Sequence, residues 1–283
     1  MPVETGVSFV GSETLDRPDD LMLQSEAPGG VAIVTGAASG IGEAVAERLA
    51  SDGWAVHICD IDAAALQRFS ERHPKITTSV ASVANPDEVH AVVEDVIAKH
   101  GRVDVLINNA GISGMTAPVE DFDAEDWRRT IDINVNGSFY FVREVVPLMK
   151  AAGSGSIINI ASTAALFGYP QRSAYAAAKW AVIGFTKTLA MELGPHGVRV
   201  NAVCPGSVEG PRIDGVIERD AAKRGLPAED VRRIYEGQVS MRKFVTADDI
   251  ANMCAFLASD ASKLVSGQVI AVDGHTESLS FPF

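Results

Sequence analysis

The stretch SAYAAAKWAV, residues 173–182, has an Ala-rich helix pattern that sets Tyr175 and Lys179 four positions apart. Side chains at i and i+4 share one helix face, about 6 Å apart at Cβ. A protonated Lys beside a phenol favours the phenolate and lowers its pKa from ~10. A Tyr tuned in this way can take a proton from an alcohol near neutral pH, or return one to a carbonyl oxygen. A packed Tyr with a snorkelling surface Lys would give the same spacing, so the rest of the chain must decide between the two.

A second group of residues points to a dinucleotide. TGAASGIG, residues 35–42, joins an apolar strand-like run to a helix pattern. Gly36, Gly40 and Gly42 permit a tight turn and close backbone approach to a ligand. The free N–H groups at the start of the helix, with its positive dipole end, suit a pyrophosphate. Asp60 ends the next strand-like run, 18 residues past Gly42. A carboxylate there accepts hydrogen bonds from the ribose hydroxyls of adenosine. A 2′-phosphate would meet repulsion at that point, and Ser39 brings no positive charge to offset it. NAD(H) is therefore expected over NADP(H).

The positioning elements follow from apolar periodicity. Strands are expected within 31–36, 54–60, 76–83, 103–111, 156–162, 198–206 and 268–274, and helices within 41–53, 63–73, 85–101, 124–152 and 172–193. Ile41, Val45 and Leu49 mark one face of the first helix, which stops at Gly53. Asn85 and Pro86 open the third, and Gly101 follows it. The long helix over 124–152 is expected to break or bend near Pro147. Strand and helix alternate, and the strands are Val/Ile-rich on both parities. This predicts a single α/β domain over 29–283, a Rossmann-type doubly wound parallel sheet with helices on both faces. The polar segment 207–246 interrupts the rhythm just after a strand end, where ligands bind such sheets. It is read as a substrate lid.

Taken in order, TGxxxGxG at 35–42, NNAG at 108–111, Ser162, YxxxK at 175–179 and PG at 205–206 resemble the short-chain dehydrogenase/reductase family over roughly residues 29–275. The Ser-to-Tyr separation of 13 matches the family's usual spacing. The resemblance implies an NAD(H)-dependent oxidoreductase interconverting a secondary alcohol and a ketone. Its catalytic residues would be Asn134, Ser162, Tyr175 and Lys179. Ser162 would orient the substrate oxygen, Lys179 would also hold the nicotinamide ribose, and Asn134 would hold a water in a proton relay. Asn136, two residues on, is the competing position. The implied cofactor-binding set is Gly36, Ser39, Gly40, Ile41, Gly42, Asp60, Ile61, Ser82, Val83, Asn109, Ala110, Gly111, Tyr175, Lys179, Pro205, Gly206 and Val208. Asn108 is expected under the adenosine side, and Gly111 is expected to let the chain turn. Two positions depart from the family pattern. Ser82-Val83 replaces an Asp followed by a small apolar residue, and Gly210 stands where a Thr is common. His275 replaces a Gly and is read as a surface His, with the pocket or a neighbouring subunit as the alternatives. A homotetramer is implied, with Trp180 as an interface anchor or plain core.

Composition limits the alternatives. The chain of 283 residues carries a net charge of −13, which argues against nucleic acid and anionic membranes as partners. Three widely spaced cysteines, Cys59, Cys204 and Cys254, suggest buried thiols and a reducing cytoplasm. No apolar run reaches membrane-spanning length. Residues 1–28 hold six acids and one Arg; they read as a loose acidic arm without the features of a signal peptide. The six His form no i, i+4 pair and suggest no metal site. The rival readings are an epimerase or dehydratase of the related longer type, and a non-catalytic NAD(H) sensor or scaffold. Residues 208–243 carry eight Lys or Arg against seven Asp or Glu. That faintly suggests an acidic or polyhydroxylated substrate, although solvated lid charges explain it as well.

Overall fold

The computed structural model describes residues 30–276, so the arm expected over 1–28 lies outside the described residues. Seven parallel strands form one sheet in the order β3-β2-β1-β4-β5-β6-β7. They are β1 (Val31–Thr35), β2 (Ala55–Asp60), β3 (Thr77–Val80), β4 (Val105–Asn108), β5 (Gly155–Ile160), β6 (Val198–Pro205) and β7 (Val269–Val272). The order reverses between β1 and β4, which opens a crevice at the carboxyl ends of the central strands.

Burial on both strand parities has a direct structural counterpart. In β1, Ala32 and Val34 pack into one core and Val31 and Ile33 into the other. The first core is completed by α1 (Gly40–Ser51), α2 (Ala63–Arg72) and α9 (Ala247–Ala258). The second is completed by α3 (Pro86–His100), α5 (Gly137–Ala152) and α6 (Ser173–Leu193). Asn85 caps α3 by accepting from the Asp87 N–H at 3.1 Å, and Gly101 ends it in the left-handed region at φ 72.

The long helix expected over 124–152 is interrupted, but not at Pro147. α4 (Ala124–Ile131) runs into a π-helical turn, Asp132–Asn136, and then α5. Pro147 lies inside α5, which continues past it. The interruption has a side-chain cause: the Asn134 amide donates to the Thr130 carbonyl at 2.8 Å and to the Ile112 carbonyl at 2.9 Å. One extra residue per turn aims it at the crevice. Segment 207–246 holds two helices, α7 (Pro211–Arg224) and α8 (Ala228–Gly237). Arg232 of α8 ties them together through Glu209, Asp214 and Glu236. No helix among the described residues is long and apolar enough to cross a membrane.

Candidate active site

Two turns meet over the crevice. After β1, Gly36 takes φ 61 and its N–H donates to the Cys59 carbonyl at 2.8 Å. A Cβ at Gly36 would stand 2.7 Å from the Ala110 Cα, so the position needs Gly for conformation and for space. The Thr35 hydroxyl accepts from the N–H groups of Asn109 and Ala110, both at 3.0 Å. The Asn109 amide in turn donates to the Thr35 and Gly36 carbonyls at 3.0 and 2.8 Å. Asn109 therefore fastens the NNAG turn to the Gly-rich turn. Asn108, expected beneath the adenosine, is turned inward and donates to the Asn159 amide oxygen at 2.9 Å.

These turns fit a dinucleotide. Ser39 starts α1 without a side-chain cap, whereas Asp62, Asn85, Asp123 and Thr246 each accept from the first turn of their own helix. The first N–H groups of α1 thus have no side-chain cap to compete with an anion. A Cβ at Gly40 would meet nothing within 4 Å, so the turn is open on that side. The Asp60 carboxylate stands beside it, accepting from the N–H groups of Ala38 and Asp62, both at 3.1 Å. Ile61 next to it is 74% exposed. Val83 is instead buried against Gly137. The Ser82 hydroxyl accepts from the Ala84 N–H at 3.3 Å, which keeps it in its own turn. Gly206 abuts Asp273 at the end of β6, and Val208 pairs with Val245 at the start of the segment that holds α7 and α8.

The second half of the site gathers around α6. Ser162, after β5, accepts from the Ala164 N–H at 3.2 Å, and its hydroxyl favours the ionised form of the Tyr175 phenol. It caps a short turn and serves the phenol at once. Lys179 is 4% exposed and donates to the Ile160 carbonyl at 2.8 Å. Its Nζ lies 5.8 Å from the Tyr175 ring centroid. Gly111 is needed for closeness, not for the turn expected of it. Its φ is not positive, but a Cβ there would stand 2.6 Å from the Asn134 Oδ1 and 3.4 Å from the Lys179 Nζ. Both Asn134 N–H groups are used by backbone carbonyls, and its buried Oδ1 has no partner among the described residues. That leaves a free acceptor which, like the Lys179 ammonium, borders Gly111. Asn136 bonds Asp132 on the exposed side instead.

The charges at this cluster all favour the phenolate. Burial pushes the Tyr175 pKa up, but Lys179, Arg212, the Ser162 hydroxyl and Arg172 together hold it below the ordinary tyrosine value. Burial also lowers the pKa of Lys179, while the neighbouring phenol works the other way. The thiol of Cys204, near Lys179, is pushed up to about 11 by burial. It is an inert neighbour, not a nucleophile. Sequence reading missed Arg172 and Arg212 because they converge on Tyr175 from different elements.

His275 bonds the Ser240 hydroxyl at 2.7 Å on the exposed side, joining the segment after α8 to the turn that follows β7. The fold also brings His73 within 2.8 Å of Glu47, beside Glu43, a juxtaposition no local spacing revealed. There Arg72 already holds Glu43 at 2.6 Å.

Comparison with known proteins agrees with this geometry. Residues 36–275 match the family model described as enoyl-(acyl carrier protein) reductase. Trans-4-hydroxycyclohexanecarboxylate dehydrogenase of Sinomonas cyclohexanicum is 41% identical over 254 residues, 86% of this chain and 91% of that protein. The crystal structure of NAD+-bound xylitol dehydrogenase superposes with TM-score 0.84 at 33% identity, covering 88% of this chain and 100% of that one. An actinorhodin polyketide ketoreductase with NADPH superposes with TM-score 0.83 at 33% identity, covering 88% and 97%.

Proposed function

The chain belongs to the short-chain dehydrogenase/reductase family and is an oxidoreductase acting on CH–OH groups, and from that premise we propose that it interconverts a secondary alcohol and a ketone with NAD(H), Tyr175 being the acid–base group. One observation carries this reading: the buried Lys179 ammonium lies 5.8 Å from the Tyr175 ring centroid on the same helix, where its charge favours the phenolate.

The Gly36–Gly42 turn, the start of α1 and Asp60 would hold the adenosine and pyrophosphate. Lys179, with the chain at Pro205, Gly206 and Val208, would hold the nicotinamide half. When bound, the nicotinamide supplies the acceptor or donor of hydride. Asp60 favours NAD(H), because its carboxylate accepts from free ribose hydroxyls and repels a 2′-phosphate. In the oxidative direction Ser162 orients the substrate hydroxyl and Tyr175 takes its proton. Lys179 stabilises the phenolate, and the unpartnered Asn134 Oδ1 accepts a hydrogen bond from a water that passes the proton outward. The segment holding α7 and α8 closes over the substrate as a lid.

The three cysteines are free and buried, and burial pushes the thiols of Cys59 and Cys254 up to about 12. Reduced thiols of this kind support a cytoplasmic setting. Trp180 is 51% exposed, so it is not core. Like the exposed Phe139 on α5 and Trp127 on α4, it supports an assembly such as the homotetramer. The substitution Tyr175→Phe tests the mechanism: the variant should fold and bind NADH, yet fail to turn over alcohols that the wild type oxidises. Retention of the wild-type rate would remove Tyr175 from the reaction.

A further inference from the structure

Among the described residues, two side-chain hydrogen bonds join the buried face of α6 to the sheet, and both end on β5. The Asn159 amide donates to the Thr186 hydroxyl at 2.9 Å, and the Lys179 ammonium donates to the carbonyl of the next residue, Ile160, at 2.8 Å. Lys179 and Thr186 are seven residues apart, two helical turns, and so share one face of α6. Asn159 also accepts from the Asn108 amide at 2.9 Å, its register partner in β4. The residue after Asn108 is Asn109, whose amide holds the Gly-rich turn. A chain of bonds thus runs from the first turn of the site, through the centre of the sheet, to the helix that carries Tyr175.

Asn159 is an unexpected residue for its place. It lies in a central strand between the buried Ile157, Ile158 and Ile160, and it and Thr186 are both 0% exposed. An apolar side chain would fill the position without the cost of desolvating an amide. What the amide adds is direction. Hydrophobic contact is non-directional, whereas a hydrogen bond holds only over a narrow range of distance and angle. At the Tyr175 end of α6 the buried apolar side chains are Ala174 and Ala178. Single methyl groups have little shape to interlock, so packing there sets the helix's position along β5 only weakly.

We propose that Asn159 and Thr186 are positioning residues for the acid–base pair, their bond fixing the register of α6 on β5 that sets Lys179 against the Ile160 carbonyl and beside the Tyr175 ring. The Lys179 Nζ is held by a carbonyl of the strand, while the phenol 5.8 Å from it rides on the helix. A shift of α6 along β5 therefore changes the distance from ammonium to phenol. It also moves the phenol relative to Ser162, which follows β5. Asn159 and Thr186 act through Lys179 and Tyr175, not on the substrate. This inference rests on Tyr175 being the acid–base group of the proposed reaction.

Thr186→Val nearly keeps the side chain's shape, removes the hydroxyl and leaves the Asn159 amide unpaired. Thr186→Ala is a second variant that leaves room for a water at that amide, and Thr186→Ser keeps the hydroxyl. Leu189→Ala, on the apolar side of the same helix, is the control that loosens packing and spares the bond. Ultraviolet difference titration of each variant, against the same variant carrying Tyr175→Phe, follows that one phenol without any substrate. With the ammonium displaced the phenolate loses support, so Thr186→Val should raise the midpoint by about half a unit or more. Thr186→Ala should move it in the same direction, and Thr186→Ser should return it to the wild-type value. In Thr186→Val kcat for alcohol oxidation should fall roughly tenfold, and the rising limb of its pH profile should move with the midpoint. Leu189→Ala should lower the melting temperature and leave the midpoint in place. Arg172 and Arg212, whose charges also act on the phenol, are unaltered in every variant. An unmoved midpoint in Thr186→Val and Thr186→Ala, or an equal movement in Leu189→Ala, would overturn the inference and leave the proposed reaction standing. A midpoint that moves only when the hydroxyl is lost, in a protein whose wild type oxidises no alcohol, would support the positioning role and overturn the reaction.

Discussion

Two buried bases sit on opposite sides of the sheet's reversal point, and their surroundings differ in one respect. His57, on β2, is fully buried, with Nδ1 at 2.8 Å from the Thr77 hydroxyl and Nε2 at 3.0 Å from the Ser79 hydroxyl. Both partners are neutral and can serve either tautomer. Burial accordingly lowers its pKa to about 4 and leaves an uncharged strut between β2 and β3. Lys179, on α6, is buried as well, but its partners are a carbonyl oxygen and an ionisable phenol. Burial alone makes His57 inert, whereas burial beside an acid makes Lys179 able to move that acid's pKa. A buried base therefore signals chemistry only when something next to it can exchange charge.

Removing the acid should break this contrast most severely. Tyr175→Phe is expected to lower kcat for alcohol oxidation by about a thousandfold, within the range for a lost general base, with thermal stability nearly unchanged. Steady-state kinetics alongside a melting curve checks both halves. Next, Lys179→Met should lower the oxidation rate about a hundredfold and move the rising limb of its pH profile to higher pH. The sign follows from charge: without the ammonium the phenolate loses support and Tyr175 ionises later. The positive charges of Arg172 and Arg212 also act on the phenol, so the shift should be partial. Folding stability should hold or rise, because a buried cation has been replaced by an apolar chain.

On the other side of the sheet the expected effect is on stability. His57 binds a proton less readily folded, near 4, than unfolded, near 6.5. Its contribution is therefore full above pH 6.5 and is lost as pH falls from there to about 4, by roughly 3 kcal/mol. Denaturant titrations across this window should show that slope in the wild type and a flatter one in His57→Gln. A still smaller effect is expected at Asp60, whose carboxylate is proposed to hold the adenosine ribose. Asp60→Ser should leave the maximal rate nearly intact and shift the NAD+ to NADP+ preference by about tenfold, read from the ratio of kcat/KM values.

What the sequence disclosed was mostly local. Tyr175 and Lys179 share a helix face by spacing alone, and Asn85, Pro86 and Gly101 bound α3 by their own chemistry. Positions decided by tertiary approach were harder to see. Pro147 looked like the break in the long helix, but an amide reaching back to Thr130 and across to Ile112 set the interruption at 132–136. Gly111 looked like a turn residue, and its reason is the Asn134 oxygen that would touch a Cβ. The convergence of Arg172 and Arg212 on one phenol needed α6 and α7 to be placed together, which no period or spacing encodes.

The electrostatic proposal at the heart of this account can be measured without any substrate. Ultraviolet difference titration of the wild type against Tyr175→Phe isolates the ionisation of that one phenol. The account predicts a midpoint clearly below 10 that moves upward in Lys179→Met. A midpoint at or above 10, indifferent to Lys179, would contradict it.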